Sequence, residues 1–343
     1  MSYPSTMRAM VVEGFGGPEV LTLKTVPTPE PKDDHVIIRI KSFGINHAEH
    51  YMRRGEWMEA MPIIGIECVG IIASSPDPSL PIGTPVAAVM GGLGRTINGS
   101  YAEYTRARIS NVVKLAESEE ELLGLGLDWG KVGSVPETFA TAWTVLFRNL
   151  EVKEGQRVLI RGGTSSFGRA AIGLAKHAGA EVTTTTRNLG RSDELKGLGA
   201  ADVLLEGPEL SARIAEAGIQ KFDAVLELIG NTTLLSSLRL VHRGGRVCVA
   251  GFLGGLDPIK DFSPLLQMAS GVHLSFFGSF VFGEEFPLDD VPLTDIMGML
   301  GKGEVKWEPA KVFKFGEEGL REAHRLMEES GAGGKMVVLV DVN

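Results

Sequence analysis

The sequence predicts an α/β chain in two parts: a β-rich, barrel-like domain and a doubly wound parallel sheet. Three observations predict it. The first third is dense in short alternating or β-branched runs, punctuated by Gly-Pro, Pro-Asp-Pro and Asn-Gly turns. From Gln156 onward, six β-rich runs alternate with segments of helical length, the pattern of parallel strands joined by helical crossovers. At 343 residues the chain also exceeds the roughly 250–300 residues at which a single core stops growing.

The β-rich runs of the first part are MRAMVVEGF, VLTLKTV, HVIIRIKSFGI, ECVGIIAS, TPVAAVM and YAEYTRA, which suit antiparallel strands. Ser118-Glu119-Glu120-Glu121 then opens a helix, with serine and glutamate spaced as a capping box. After Pro136, ETFATAWTVLFRNL has helical periodicity and leads into the second part. There the strands are RVLIRGG, EVTTTT, DVLLE, FDAVLELIG, GRVCVAGF and HLSFFG. The end returns to mixed structure: helix VPLTDIMGMLGKG, strand AKVFKF, helix GEEGLREAHRLMEES and strand KMVVLV.

Composition narrows the function. Hydrophobic residues make up 43% and charged residues 22%, as in soluble globular proteins, which argues against disorder. The net charge of −9 argues against a nucleic-acid partner, since phosphate backbones demand basic stripes. Cys68 and Cys248 lie in apolar, strand-like runs and read as small buried residues; two cysteines cannot build a four-thiolate zinc site. The segment MSYPSTMRAM lacks the apolar core of a signal peptide, and no apolar run is long enough to cross a bilayer. A cytoplasmic protein without a membrane partner is expected.

RVLIRGGTSSFGRAAIGLAKHAGAEVTTTTRN is the most informative stretch. An apolar strand runs into Gly162, Gly163, Thr164, Ser165, Ser166, Phe167 and Gly168, and an alanine-rich helix follows. Small residues let the backbone approach a pyrophosphate, whose charge sits against N–H groups at the helix N-terminus. Ser165 stands at the middle glycine of the dinucleotide fingerprint, and serine and threonine hydroxyls can add donors. NAD sites usually carry an acidic residue about twenty positions further on, for the ribose 2′-hydroxyl. Here the strand ends in Thr185, Thr186, Arg187 and Asn188, with Arg191 close behind. Hydroxyls and arginines suit a 2′-phosphate, so NADPH is expected rather than NADH.

These features together resemble the medium-chain dehydrogenase/reductase superfamily, and within it the zinc-independent, quinone oxidoreductase-like (zeta-crystallin-like) branch. The resemblance covers nearly the whole chain. It rests on MRAMVVEGFGGPEVLTL, INHAEHYMRRG, GIECVGII, GSYAEY, the GGTSSFG loop and RGGRVCVAGF. It implies a GroES-like catalytic domain made from residues 1–128 and 289–343, with a Rossmann NADPH-binding domain at 129–288 inserted between them. Nicotinamide and substrate would share the cleft between the domains.

The resemblance also assigns roles. In GINHAEHYMRRG, His47, Glu49 and His50 suggest a metal site, and the two histidines share a helical face. Zinc-dependent members, however, carry a cysteine ligand where this chain has Asn46 and a histidine where it has Ile66. Catalytic zinc needs three protein ligands, so no metal is expected, and His47, Glu49 and His50 become bystanders or surface residues. Tyr51 falls where zinc enzymes place a histidine of the proton relay; zinc-free relatives commonly have tyrosine there, often paired with an arginine as Tyr51 is with Arg53. A phenol can donate a hydrogen bond or a proton to a substrate oxygen; packing is the alternative role. Asn46 could likewise donate to a carbonyl oxygen, or cap a helix. Thr141 should reach the nicotinamide, and Gly251, Phe252 and Leu253 should line its pocket. Phe276 and Phe277 should continue the cofactor wall on a strand that pairs subunits in a homodimer, unless they are simply core.

The expected activity is NADPH-dependent hydride transfer to a quinone or other small conjugated carbonyl compound, without zinc. The alternatives are an enoyl or enone C=C reductase of a biosynthetic pathway, or an NADPH-binding protein without turnover. The loops MGGLGRTINGS and SFVFGEEFPLDD would shape the acceptor pocket.

Overall fold

The structure is a computed structural model and describes residues 3–57, 59–283, 286–329 and 331–340. Packing divides the chain into two units. The first comprises Met1–Ala140, Ser279–Gly303 and Glu308–Asn343; the second comprises Thr141–Gly278 and Glu304–Trp307.

The first unit begins with β1 (Thr6–Val12) and β2 (Leu21–Pro27), an antiparallel pair. There follow β3 (His35–Ile45), β4 (Glu67–Ser74), β5 (Pro85–Val89), β6 (Tyr104–Arg108) and β7 (Val112–Lys114). The second unit carries β8 (Arg157–Arg161), β9 (Glu181–Thr186), β10 (Asp202–Leu205), β11 (Phe222–Glu227), β12 (Val241–Val249) and β13 (His273–Phe276). The chain then returns to the first unit with β14 (Lys311–Lys314) and β15 (Met336–Leu339).

In the first unit the sheet order is β14-β15-β3-β4-β5-β7, with β6 also on β3. β15 runs antiparallel to β3, from Met336 opposite Ile45 to Leu339 opposite Ser42. Both ends of the chain thus build one sheet. β3 is buried along nearly its whole length, as expected of a long apolar run at the sheet centre. Gly70 of β4 is required there, because a Cβ would lie 2.1 Å from the carbonyl oxygen of Arg39 on β3.

The second unit is a six-stranded parallel sheet in the order β10-β9-β8-β11-β12-β13. The winding reverses between β8 and β11, and ligands of such sheets lie at the carboxyl ends of the strands beside that point. Leu159, Phe222, Val225, Val247 and Val249 form the core on one face, closed by Leu234 and Leu238 of the helix Leu234–Leu240. The helix Ser166–His177 buries Ala170, Ala171, Gly173 and Ala175, small residues that allow close packing on a sheet. Both cysteines are buried free thiols, and burial pushes Cys248 up to about 11 and Cys68 higher, so neither is a nucleophile at neutral pH. Among the described residues no helix is long and apolar enough to cross a membrane.

Candidate active site

In the second unit the carboxyl end of β8 turns at Gly162, whose φ of +85° is the left-handed backbone that favours glycine. A Cβ on Gly163 would sit 2.0 Å from Thr184 Oγ1, and one on Gly168 would sit 2.5 Å from the Gly162 carbonyl oxygen. These glycines therefore let the helix start directly against the strand. Ser165 is the N-cap: its hydroxyl accepts from Gly168 N–H (3.0 Å) and donates to Gly162 O (2.8 Å). The hydroxyl closes its own turn and is not a spare donor. Thr164, Ser166 and Phe167 follow the same turn and are partly exposed.

The end of β9 is built by its own side chains. Thr185 Oγ1 accepts from Gly162 N–H (3.1 Å) and donates to Glu206 (2.7 Å), tying β9 to the glycine turn. Thr186 Oγ1 bonds both N and O of Asn188 (3.1 Å each), and Asn188 Oδ1 caps Gly190 N–H (2.9 Å). This turn leaves Arg187 exposed, whereas Arg191 is bonded to Glu194 at 2.7 and 3.0 Å. At the end of β12, Leu253 reaches over the turn: a Cβ on Gly162 would lie 3.1 Å from Leu253 Cδ1. Gly251 packs against the backbone of Leu228, and Phe252 meets Phe276 with ring centroids 6.1 Å apart. Phe276 is 54% exposed, while Phe277 is 4% exposed and sits in the core. Thr141 is buried in the helix Pro136–Thr144.

Beneath the glycine turn lies a group that sequence reasoning passed over. Arg161, the last residue of β8, is buried between Glu206 and Glu227. Its guanidinium forms a two-point pair with Glu206, donates to Ser237 Oγ (2.9 Å) and Ser236 Oγ (3.2 Å), and lies 3.7 Å from Glu227. Burial pushes Glu206 up, but Arg161, Thr185 and the N–H of Gly207 outweigh it and hold the carboxyl below its usual range.

In the first unit, the helix His47–Arg54 starts at Asn46, whose N–H donates to Glu49 Oε2 (2.8 Å). The Asn46 side chain is fully engaged. Its amide donates to Glu67 Oε1 (2.9 Å), and its oxygen accepts from Lys335 Nζ (2.5 Å). Lys335 also bonds Glu67 Oε1 at 2.6 Å, and Glu67 Oε2 accepts from Glu137 N–H (2.9 Å). Gly44 makes room for this pair, because a Cβ there would lie 2.4 Å from both Glu67 Oε1 and Lys335 Cε. Glu49 is fully buried, and its Oε1 accepts from Ile66 N–H (3.0 Å). Burial pushes its carboxyl up to about 7, against the Ile66 N–H and the Lys335 charge that pull it down. Glu49 is therefore neither a bystander nor a surface residue.

Tyr51 is half-buried, its ring edge-on to His50 at 5.6 Å, and its hydroxyl has no hydrogen-bond partner among the described residues. The expected pairing with Arg53 is not made, because residues two apart on a helix point in different directions. Arg53 instead is buried, pairs with Glu328, donates to Gly16 O and donates Nε–H to His324 Nδ1 (3.2 Å). Burial, with the charges of Arg53 and His50, holds His324 down at about 3. It is neutral, and since Nδ1 accepts, Nε2–H donates to Tyr101 (2.9 Å). Among the described residues, no three His, Cys, Asp or Glu side chains group as a metal ion would need.

Comparison with known proteins decides the family. Residues 32–117 match the alcohol dehydrogenase GroES-like domain, and residues 167–293 match the zinc-binding dehydrogenase family. Human quinone oxidoreductase is 29% identical over 350 residues, covering 97% of this chain and 98% of its own. The chain belongs to the medium-chain dehydrogenase/reductase superfamily. It is an oxidoreductase of the NAD(P)H-dependent kind, with a GroES-like domain and a Rossmann sheet. A mycobacterial quinone oxidoreductase structure superposes with a TM-score of 0.82 at 26% identity, covering 97% of this chain and 99% of that one. A mycobacterial protein, Rv1454c, solved as a complex with NADPH, has a TM-score of 0.80 at 25% identity, with coverage of 97% and 99%.

Four residues outside the expected set shape the two units' candidate sites, Lys335 and Glu67 in the first unit and Arg161 and Glu206 in the second. Each carried a faint signal. A charge inside or beside an apolar strand run, as in GIECVGII, RVLIRGG and GGKMVVLV, is rarely buried unless paired.

Proposed function

We propose that this oxidoreductase is an NADPH-dependent reductase that passes hydride to a quinone or another small conjugated acceptor without zinc. The observation that carries the reading is the Lys335 ammonium, 2.5 Å from Asn46 Oδ1 and 2.6 Å from Glu67 Oε1. The side chain at the position of a zinc-ligand cysteine already holds a cation, and a metal beside it would meet charge repulsion. Ile66, at the position of the histidine ligand, has an apolar side chain; its N–H is given to Glu49 and its carbonyl oxygen accepts from Met90 N–H.

A bound nicotinamide supplies hydride; the acceptor oxygen then gains charge, and one proton completes the reduction. Without a Lewis acid that charge falls to hydrogen-bond donors, typically worth about 3–4 kcal/mol each when preorganised. Both ends of the Asn46 amide are occupied, so we assign the donor role to the Tyr51 hydroxyl and give Asn46 a positioning role. A quinone or enone spreads its incipient charge and needs less help than a simple ketone. For the cofactor, the loop N–H groups with Thr164 and Ser166 suit the pyrophosphate. Exposed Arg187 suits a 2′-phosphate, and Thr141 with Gly251, Phe252 and Leu253 suits the nicotinamide. The sheet ends on β13 with Phe276 exposed, which supports a homodimer formed along that strand.

The test is NADPH oxidation by the purified protein against quinones, enones and enoyl thioesters, with and without a metal chelator. Turnover of a quinone or enone that survives chelation is expected. Activity lost to the chelator and restored by zinc overturns the zinc-free reading, and tight NADPH binding without turnover makes the chain a cofactor-binding protein. In the same assay Tyr51→Phe should lower kcat by about 10²-fold and leave the NADPH KM alone. An unchanged kcat returns Tyr51 to packing.

A further inference from the structure

The loops MGGLGRTINGS and SFVFGEEFPLDD meet in one cavity of the first unit. It holds about 370 Å³, and its lining includes Gly92, Arg95, Thr96, Arg108, Ser110 and Phe280. That is room for part of a small molecule. The walls are built in place. Asn111, buried between them, donates from its amide to Val89 O (2.9 Å) and to Phe282 O (3.0 Å). The first loop is pinned at both ends, by Met61 N–H to Gly94 O (2.9 Å) and Gly99 N–H to Ile63 O (2.7 Å). No carboxylate stands among the described lining residues.

Arg95 is the lining residue whose bonding is incomplete. Its Nη2 donates to Glu59 Oε2 (3.1 Å), and its guanidinium carbon lies 5.2 Å from the Trp57 ring centroid. Its Nε–H is buried with no hydrogen-bond partner among the described residues. A cation's N–H left unmet away from water is costly. The Glu59 side chain is 59% exposed, so water screens its pull on Arg95. An acidic group inside the cavity is less screened and can grip the guanidinium at two points, where Glu59 engages one nitrogen.

We propose that this cavity takes an acidic group carried by the conjugated acceptor, a carboxylate, sulfonate or phosphate, and that Arg95 selects it, with Glu59 as its resident counter-ion. The inference rests on the reductase reading above and names the class of acceptor within it. Arg95 is a specificity-determining residue on this view, and Glu59 opposes it by holding the guanidinium and repelling the same anion.

The experiment is steady-state NADPH oxidation by the full chain with two matched pairs of acceptors. One pair is 1,4-naphthoquinone and its 2-sulfonate; the other is 3-penten-2-one and 4-oxo-2-pentenoate. Within each pair the acidic member should lose roughly tenfold more kcat/KM than the neutral one on Arg95→Met, mostly through KM. Arg95→Lys should restore part of that loss, because it keeps the charge without the fork. Glu59→Gln should act in the opposite direction and favour the acidic member by about threefold. Opposite signs are decisive, since an ion pair that served only the fold would change both members of a pair alike. Equal changes within each pair, or none, overturn the inference and leave the reductase standing. A native chain that reduces none of these acceptors overturns the reductase reading, and this inference with it. Thermal unfolding of each variant, run alongside, shows that rates are measured on folded protein.

Discussion

Each unit holds a buried cation beside buried carboxylates, Arg161 in the second and Lys335 in the first, and the two centres are satisfied in different ways. In the second unit Arg161 makes five hydrogen-bond contacts, to Glu206, Ser236, Ser237 and the Thr233 carbonyl, with Glu227 at 3.7 Å. Glu227 is in turn capped by Ile229 N–H (2.7 Å), Gly230 N–H (3.0 Å) and Ser237 Oγ (2.6 Å). The centre sits where Arg161 and Glu227 lie opposite each other on β8 and β11, at the switch point of the sheet. In the first unit Lys335 has only three donors. Two of them go to Asn46 and Glu67, and Glu49 is left to backbone N–H groups. The contrast teaches that a guanidinium paired at two points can hold a carboxylate ionised, as Glu206 shows, whereas an ammonium with fewer donors leaves Glu49 without a direct bond and near its titration point.

The sharpest way to break this comparison is to remove each cation. Arg161→Met strands two buried carboxylates and frees the base of the glycine turn, and should cost about 3–5 kcal/mol in urea titration of the second unit. NADPH binding should weaken with it. A loss under about 1 kcal/mol would mean that the guanidinium is dispensable. Lys335→Met should cost somewhat less, because the Glu49 carboxyl, already pushed up to about 7, can take up a proton in place of the lost charge. That loss should shrink as the pH is lowered from about 8 to about 5; a loss that is the same across that range would remove proton uptake as the difference between the centres.

How much of this was legible in the sequence follows from the range over which the forces act. The glycine turn, the strand alternation and the arginines after EVTTTT are local patterns, and the structure has strands at each of those runs. Asn46 and Tyr51 stood out only through resemblance, and their surroundings were hidden. Lys335 meets Asn46 across 289 positions of sequence, and no local pattern announces that β15 will close on β3. Glu49 was misread for the same reason: a carboxylate in a helix start looks solvated until Ile66 and Lys335 fold over it. Arg53 was mispaired because neighbours in sequence were taken as neighbours in space, while its partners Glu328 and His324 lie on the helix Glu317–Glu328.

The smallest expected effect is the most specific. In the folded chain the Glu49 carboxyl titrates near about 7, against an ordinary value of 4.5. The folded state therefore binds more protons than the unfolded state between those values, and stability from this group is full below the lower value and lost as pH rises through the upper one. Glu49→Gln is uncharged at every pH and lacks that loss. The stability of the variant relative to the native protein should therefore rise as pH goes from about 5 to about 8, by about 1 kcal/mol or more. His324, held at about 3, acts in the opposite direction, since its contribution is present above the ordinary histidine value and lost as pH falls. It is present in both proteins and cancels in the difference, as does Glu206. A flat difference would mean that Glu49 stays charged throughout, and that the ammonium centre holds its carboxylates as firmly as the guanidinium centre does.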